Sequence, residues 1–153
     1  LQPGSKTPLR FKVLLELCRR FHEEPMNLGV QFSSRRDIYN HFQTRLGNLK
    51  QERFIIVILD NKHRFLSETT VTVGLLNRSL VHPREVFAEA IEQRAAAIIC
   101  IHNYPSGDSS PSEEDKRITR RLQESGELLG IPLLDHIIIS KEDFTSFADE
   151  GWL

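Results

Sequence analysis

The stretch AAIICIHNYPSGDSSPSEEDKRITRRL, residues 96–122, decides how the rest of the chain is read. Ala96 to Ile101 is an unbroken run of apolar and small residues, the pattern of a strand covered on both faces. The strand is expected to end at Ile101, which leaves His102 where the chain departs from a buried sheet. His102 and Tyr104 are two apart, so an extended backbone points both to the same side. Pro105, Gly107 and Pro111 then reverse the chain. Ser112 begins a helix with Ile118, Leu122 and Leu129 along one side. That reversal brings Asp115 back over the strand end, near a helix N-terminus. Ligand crevices in open α/β sheets form at the carboxyl ends of strands.

Working outward, Phe54 to Leu59 (FIIVIL) is a second apolar run and reads as another fully covered strand. Asp60-Asn61-Lys62-His63 is turn chemistry, so Phe65 to Val73 is expected to return beside it as a hairpin. Pro83 suits the first turn of a helix with Val86, Phe87, Ala90 and Ile91 facing inward. Leu133 to Ile139 reads as a further strand, and the C-terminal tail as room for a short one. Upstream, Ser33 or Ser34 can cap a helix carrying Ile38, Tyr39, Phe42 and Leu46, ended by Gly47. Val13, Leu14, Leu17, Cys18 and Phe21 mark an amphipathic helix from about Leu9 to Phe21. Pro25, Asn27 and Gly29 mark a connector between these two helices. The expectation is a helical extension and linker over 1–30 and a layered α/β domain over 31–153.

A chain of 153 residues can bury a core without covalent staples. Cys18 and Cys100 both lie in apolar patterns and read as buried thiols of a reducing, cytoplasmic compartment. No apolar run reaches membrane-spanning length and no signal peptide is visible, so no membrane partner is expected. The chain begins at Leu1 rather than at a methionine, which fits a piece of a longer protein. The 20 Lys plus Arg against 21 Asp plus Glu give a net charge of −1, which argues against a surface dominated by nucleic-acid phosphates. Lys116, Arg117, Arg120 and Arg121 form a basic cluster that reads as a solvated helix face.

The spacing at residues 102–115 resembles the JAMM/MPN metalloprotease motif, His-x-His, seven residues, Ser, two residues, Asp. Here His102, Tyr104, Ser112 and Asp115 stand at those positions, with tyrosine in place of the second histidine. QERFIIVILD, SLVHPREVF, HNYPSGDSSPSEED and LGIPLLDHIIIS together resemble the bacterial RadC family, whose usual loop is HNHPSGD. The resemblance runs from about Ser33 to Gly151, and FKVLLELCRR resembles the last helix of a preceding helix-hairpin-helix region. It implies an α/β fold of the JAB/MPN, cytidine-deaminase-like kind, with a mixed sheet flanked by helices. It also implies a zinc hydrolase acting on amide or isopeptide bonds of a protein or peptide. His102 and Asp115 would be metal ligands, together with whatever stands at Tyr104. Glu52 would be the general base, and Ser112 would meet the developing oxyanion. The metal lowers the pKa of water so that hydroxide forms near neutrality.

Tyrosine strains that scheme. A neutral phenol is a poor zinc ligand, and its ordinary pKa is about 10. Two remaining protein ligands fall short of the three of a catalytic zinc site, so weakened zinc binding and weakened catalysis are expected. Asp108, Glu113 and His136 are alternative donors, with no spacing that points to any of them. His136 reads instead as a hydrogen-bonded structural histidine, His82 as a group positioning the chain before Pro83, and Asn103 as a partner for backbone groups. Ser112 with Asp115 also makes a helix cap, and Glu52 is equally readable as an exposed residue ahead of a strand. Two other functions stay open: a non-catalytic module binding a protein in the same groove, and a DNA-repair-associated accessory protein. An apolar groove or sheet edge could also support a homodimer.

Overall fold

The computed structural model describes residues 8–23, 28–74 and 81–153. The elements run α1 (Leu9–Glu23), α2 (Arg35–Leu46), β1 (Arg53–Leu59), β2 (Phe65–Val73), α3 (Pro83–Glu92), β3 (Ala97–Asn103), α4 (Glu113–Leu129), β4 (Leu133–Ile139) and β5 (Phe144–Ser146). The strands form one mixed sheet in the order β2-β1-β3-β4-β5. β1 and β2 form the expected hairpin, and β1 also pairs antiparallel with β3. β3 and β4 are parallel, joined across the sheet by α4, and β5 returns antiparallel to β4. Among the described residues, no helix is long and apolar enough to cross a membrane.

The unbroken apolar strands follow from covering both faces of this sheet. Alternation divides β1 cleanly. Ile55, Val57 and Leu59 join Ile99, Ile101, Ile137 and Ile139 beneath Ile38, Tyr39, Phe42 and Leu46 of α2. Phe54, Ile56 and Ile58 join Ile98, Cys100 and Leu133 beneath α3 (Val86, Phe87, Ala90) and α4 (Ile118, Leu122). α2 is capped by Ser34, whose side chain accepts from Asp37 N at 3.1 Å. His82 caps α3 in the same way, its Nδ1 accepting from Arg84 N at 3.1 Å. α4 must approach β4 closely, and Gly126 permits it: a Cβ there would lie 2.5 Å from the carbonyl oxygen of Ile131. Gly130 then ends the helix in the left-handed region at φ 70°.

Four sequence expectations need correction. β3 continues to Asn103, so His102 lies within the sheet, opposite Phe54 of β1 and Ile138 of β4. The extension holds because the side chain of Asn103 ties the strand to the chain entering β1. Its Oδ1 accepts from Arg53 N at 2.6 Å, and its Nδ2 donates to Gln51 O at 3.1 Å and Leu46 O at 3.3 Å. Ile91 and Leu129 do not face inward; they are 54% and 49% exposed. Each lies at the rim where α3 and α4 diverge, and Leu128 beside them is exposed as well. Cys18 is also exposed, because the apolar side of α1 packs on little: Leu14 and Leu17 are open to solvent too. Cys100 is buried as expected, and burial, aided by the charges of Asp135 and Asp115, pushes its thiol pKa well up.

Candidate metal centre

Strand parity places the site. Even-numbered residues of β3 face α4, and in β4, past the irregularity near its start, Ile137 and Ile139 face α2, so His102 at the end of β3 and His136 in β4 project to the same side as Cys100 and Phe54. The two imidazoles lie with centroids 6.4 Å apart and planes inclined by 24°. Asp115 enters from above, in the first turn of α4. Glu52 reaches in from the residue preceding β1.

Asp115 is wholly buried, and its two carboxylate oxygens accept four hydrogen bonds, one at Oδ1 and three at Oδ2. Its Oδ1 accepts from His102 Nδ1 at 2.8 Å. Its Oδ2 accepts from Ser112 N at 2.9 Å, from Ser112 Oγ at 2.7 Å and from the hydroxyl of Tyr104. Ser112 Oγ accepts in turn from Asp115 N at 3.0 Å, which completes a capping box. The helix cap read from the sequence and the Asp115 of the motif are therefore one structure. Burial alone would raise the Asp115 carboxyl pKa. The hydrogen bond from His102, the neighbouring imidazoles and the Tyr104 hydroxyl outweigh it and hold the group well below the usual carboxylate range.

Tyr104 lies beside His102 with ring centroids 4.9 Å apart. Its hydroxyl donates to Asp115 and accepts from Ser112 N at 3.1 Å. Burial and then the hydrogen bond to Asp115 push its pKa up to about 12, with Ser112 opposing. At neutral pH it is a phenol, not a phenolate.

Glu52 meets solvent at the edge of the site. Its side chain is 24% exposed and its Oε2 lies 3.1 Å from His102 Nε2. Each nitrogen of His102 thus faces a carboxylate oxygen. Asp108 and Glu113 stay away: Asp108 accepts from Ser110 N at 2.9 Å, and Glu113 pairs with Lys116 on the exposed side of α4.

His136 does come in, although its sequence context favoured a structural role over that of a ligand. Its ring stacks on Phe147 at 4.6 Å and meets the edge of Phe54 at 5.4 Å. Its Nδ1 lies 2.6 Å from Thr119 Oγ1. Its Nε2 is buried with no hydrogen-bond partner, 4.0 Å from Asp115 Oδ1. Burial pushes the His136 pKa down to about 3, reinforced by His102 and opposed by the charge of Asp115. One donor atom from each of His102, Asp115 and His136 lies within 4.8 Å of the others, so these three could hold a metal ion. The signal that would have found His136 is the parallel pairing of β3 with β4, which sets His136 opposite Cys100, two residues from His102.

The donor chemistry fits a divalent metal. Imidazole nitrogen and carboxylate oxygen are the usual partners of zinc. A buried ring nitrogen without a hydrogen-bond partner, next to a carboxylate, is costly unless something binds it.

Comparison with known proteins gives a consistent picture. A family model described as the RadC-like JAB domain matches residues 32–152. A UPF0758 protein of Syntrophotalea carbinolica is 46% identical over 150 residues, covering 98% of this chain and 66% of that relative. UPF0758 proteins of Geobacter sulfurreducens and Methanosarcina mazei are each 43% identical, over 151 and 153 residues, at the same coverage. The chain therefore spans about two thirds of the length of these curated relatives.

Proposed function

This chain belongs to the RadC-like JAB domain family, and from that premise we propose that it is a metal-dependent hydrolase of amide or isopeptide bonds, of the JAMM type, with zinc as its metal. The observation that carries the reading is the line Glu52–His102–Asp115, with contacts of 3.1 and 2.8 Å. Two segments distant in sequence, the approach to β1 and the turn from β3 into α4, converge on one buried strand end, and the carboxylate at the solvent end of the line is partly exposed. His102 and Asp115 would hold the metal. When bound, it would supply Lewis-acid polarisation of the scissile carbonyl and a more acidic water.

The roles of the chain's own groups follow from position. Glu52, partly exposed, would take a proton from the attacking water as its oxygen bonds to the carbonyl carbon. It would return that proton to the nitrogen as the C–N bond breaks, so the carboxylate is regenerated. Ser112, exposed at the head of α4, is our oxyanion partner. Its hydroxyl proton now goes to Asp115 Oδ2, so that role requires the side chain to turn out of the capping box. Phe54 and Phe147 pack round the imidazoles and exclude water from the inner side.

The test uses zinc-loaded protein on a panel of isopeptide-linked and unbranched peptides. Glu52→Gln should lower the rate by ~10²–10⁴-fold with zinc content unchanged. Equal rates in the two proteins, or no cleavage by zinc-loaded wild type, would sink the reading.

A further inference from the structure

We infer that His136, not Tyr104, supplies the second imidazole of the metal site, so that the ligand set is His102, Asp115 and His136, with Thr119 orienting His136 and Tyr104 orienting Asp115. The inference rests on the hydrolase reading only for the presence of a metal.

Thr119 fixes the tautomer. A hydroxyl has one proton, and Thr119 Oγ1 gives it to the carbonyl oxygen of Asp115 at 2.6 Å. A carbonyl can only accept. Thr119 Oγ1 must therefore accept in its other contact, and His136 Nδ1 must be the donor across 2.6 Å. A neutral imidazole protonated at Nδ1 carries its lone pair on Nε2. That nitrogen is the buried atom without a partner, facing Asp115 Oδ1 at 4.0 Å. A ligating histidine characteristically donates its second ring N–H to an outer partner, which sets both tautomer and ring direction. Thr119 serves His136 in that way, and the stacked ring of Phe147 holds the plane.

Tyr104 is arranged as an outer partner instead. Its hydroxyl donates to Asp115 Oδ2 and accepts from Ser112 N, so both of its hydrogen-bonding directions serve the head of α4. Asp115 Oδ1, the oxygen nearest His136, is the one that Tyr104 leaves alone. Two nitrogens and one carboxylate oxygen make a three-donor set of the kind found in catalytic zinc sites. Glu52 then stays outside the set.

The test is calorimetric titration of chelator-stripped protein with Zn²⁺ and Co²⁺, with the visible spectrum of the cobalt form reporting its donors. Wild type should take about one ion per chain. His136→Gln should weaken binding by at least ~100-fold and change the cobalt spectrum, and Thr119→Val should weaken it ~10–100-fold. Tyr104→Phe should remain within a few-fold of wild type. Far-UV circular dichroism monitors folding, and Thr119→Val keeps the test alive if His136→Gln does not fold. Wild-type affinity in both His136→Gln and Thr119→Val, or loss of the ion in Tyr104→Phe, would overturn the inference while leaving a metal-dependent hydrolase possible. Loss in His136→Gln from a wild type that binds metal but cleaves nothing would uphold the ligand set and sink the hydrolase. A wild type that binds no ion overturns both.

Discussion

Asp115, on α4 above β3, and Asp135, on β4 beside it, are both buried aspartates, yet they are treated in opposite ways. Asp135 is saturated by fixed donors. Its Oδ1 accepts from His136 N at 2.8 Å and Ala148 N at 3.0 Å, and its Oδ2 from Ser146 Oγ at 2.6 Å and Arg35 Nε at 3.1 Å. Those partners come from α2, β4, β5 and the C-terminal turn, and one of them is a permanent cation. Asp115 gathers as many contacts, but its only basic neighbours are imidazoles, whose charge depends on a proton. One carboxylate is a knot. The other carries a charge that a metal could balance.

The comparison breaks first on substitution. Asp135→Ala should strip buried donors on three segments at once. At about 1–3 kcal/mol for each orphaned group, the loss should be roughly 3 kcal/mol or more, read as a lower urea midpoint. Asp115→Asn should stay folded, keeping an oxygen for the cap, and lose metal binding measured by elemental analysis. If the two variants unfold alike, the distinction between knot and site is wrong.

The second effect is on pH. His136 has a folded pKa of about 3, below its unfolded value of about 6.5, so the unfolded chain binds the extra proton between them. Stability is then full above the unfolded value and falls as the pH drops through the window from about 6.5 to 3. Metal-free protein taken from pH 7 to 5 should lose about 2 kcal/mol through this group. His136→Phe should flatten that slope in chemical denaturation. Asp115 adds a slope of the same sign below about pH 4, because its folded carboxyl resists protonation.

Smaller effects sharpen the picture. Tyr104→Phe removes one hydrogen bond to Asp115 but leaves those from Ser112, so about 1 kcal/mol should be lost in thermal denaturation. Ile91→Lys, on an exposed rim, should change stability by less than ~0.5 kcal/mol.

The layered fold was legible because Phe54 to Leu59 and Ala97 to Ile101 are apolar at every position, which requires two covered faces, and because Ser34, Pro83 and Ser112 mark helix starts. Much of the site was legible too. His102, Tyr104 and Asp115 are local in sequence, joined by a turn rich in proline and glycine, and they do meet. Glu52 proves to be in contact with His102, a matter the residues alone left open. Ile91 and Leu129 misled because helical periodicity marks an apolar side without saying how far the neighbouring helix extends. Cys18 misled for a related reason, since an amphipathic α1 need not find its partner within this chain.

By itself, then, the sequence determined the layers, the strand-turn-helix carrying His102 and Asp115, and the unsuitability of a phenol at position 104 as a metal ligand. Those depend on local periodicity, capping and side-chain chemistry. Only the tertiary structure decided that His102 stays inside the sheet, that Thr119 holds the ring of His136, and that His136 stands beside Asp115. Each of these depends on which strand lies beside β3 and in what register, and strand pairing is set by the packing of the whole sheet rather than by residues near in sequence.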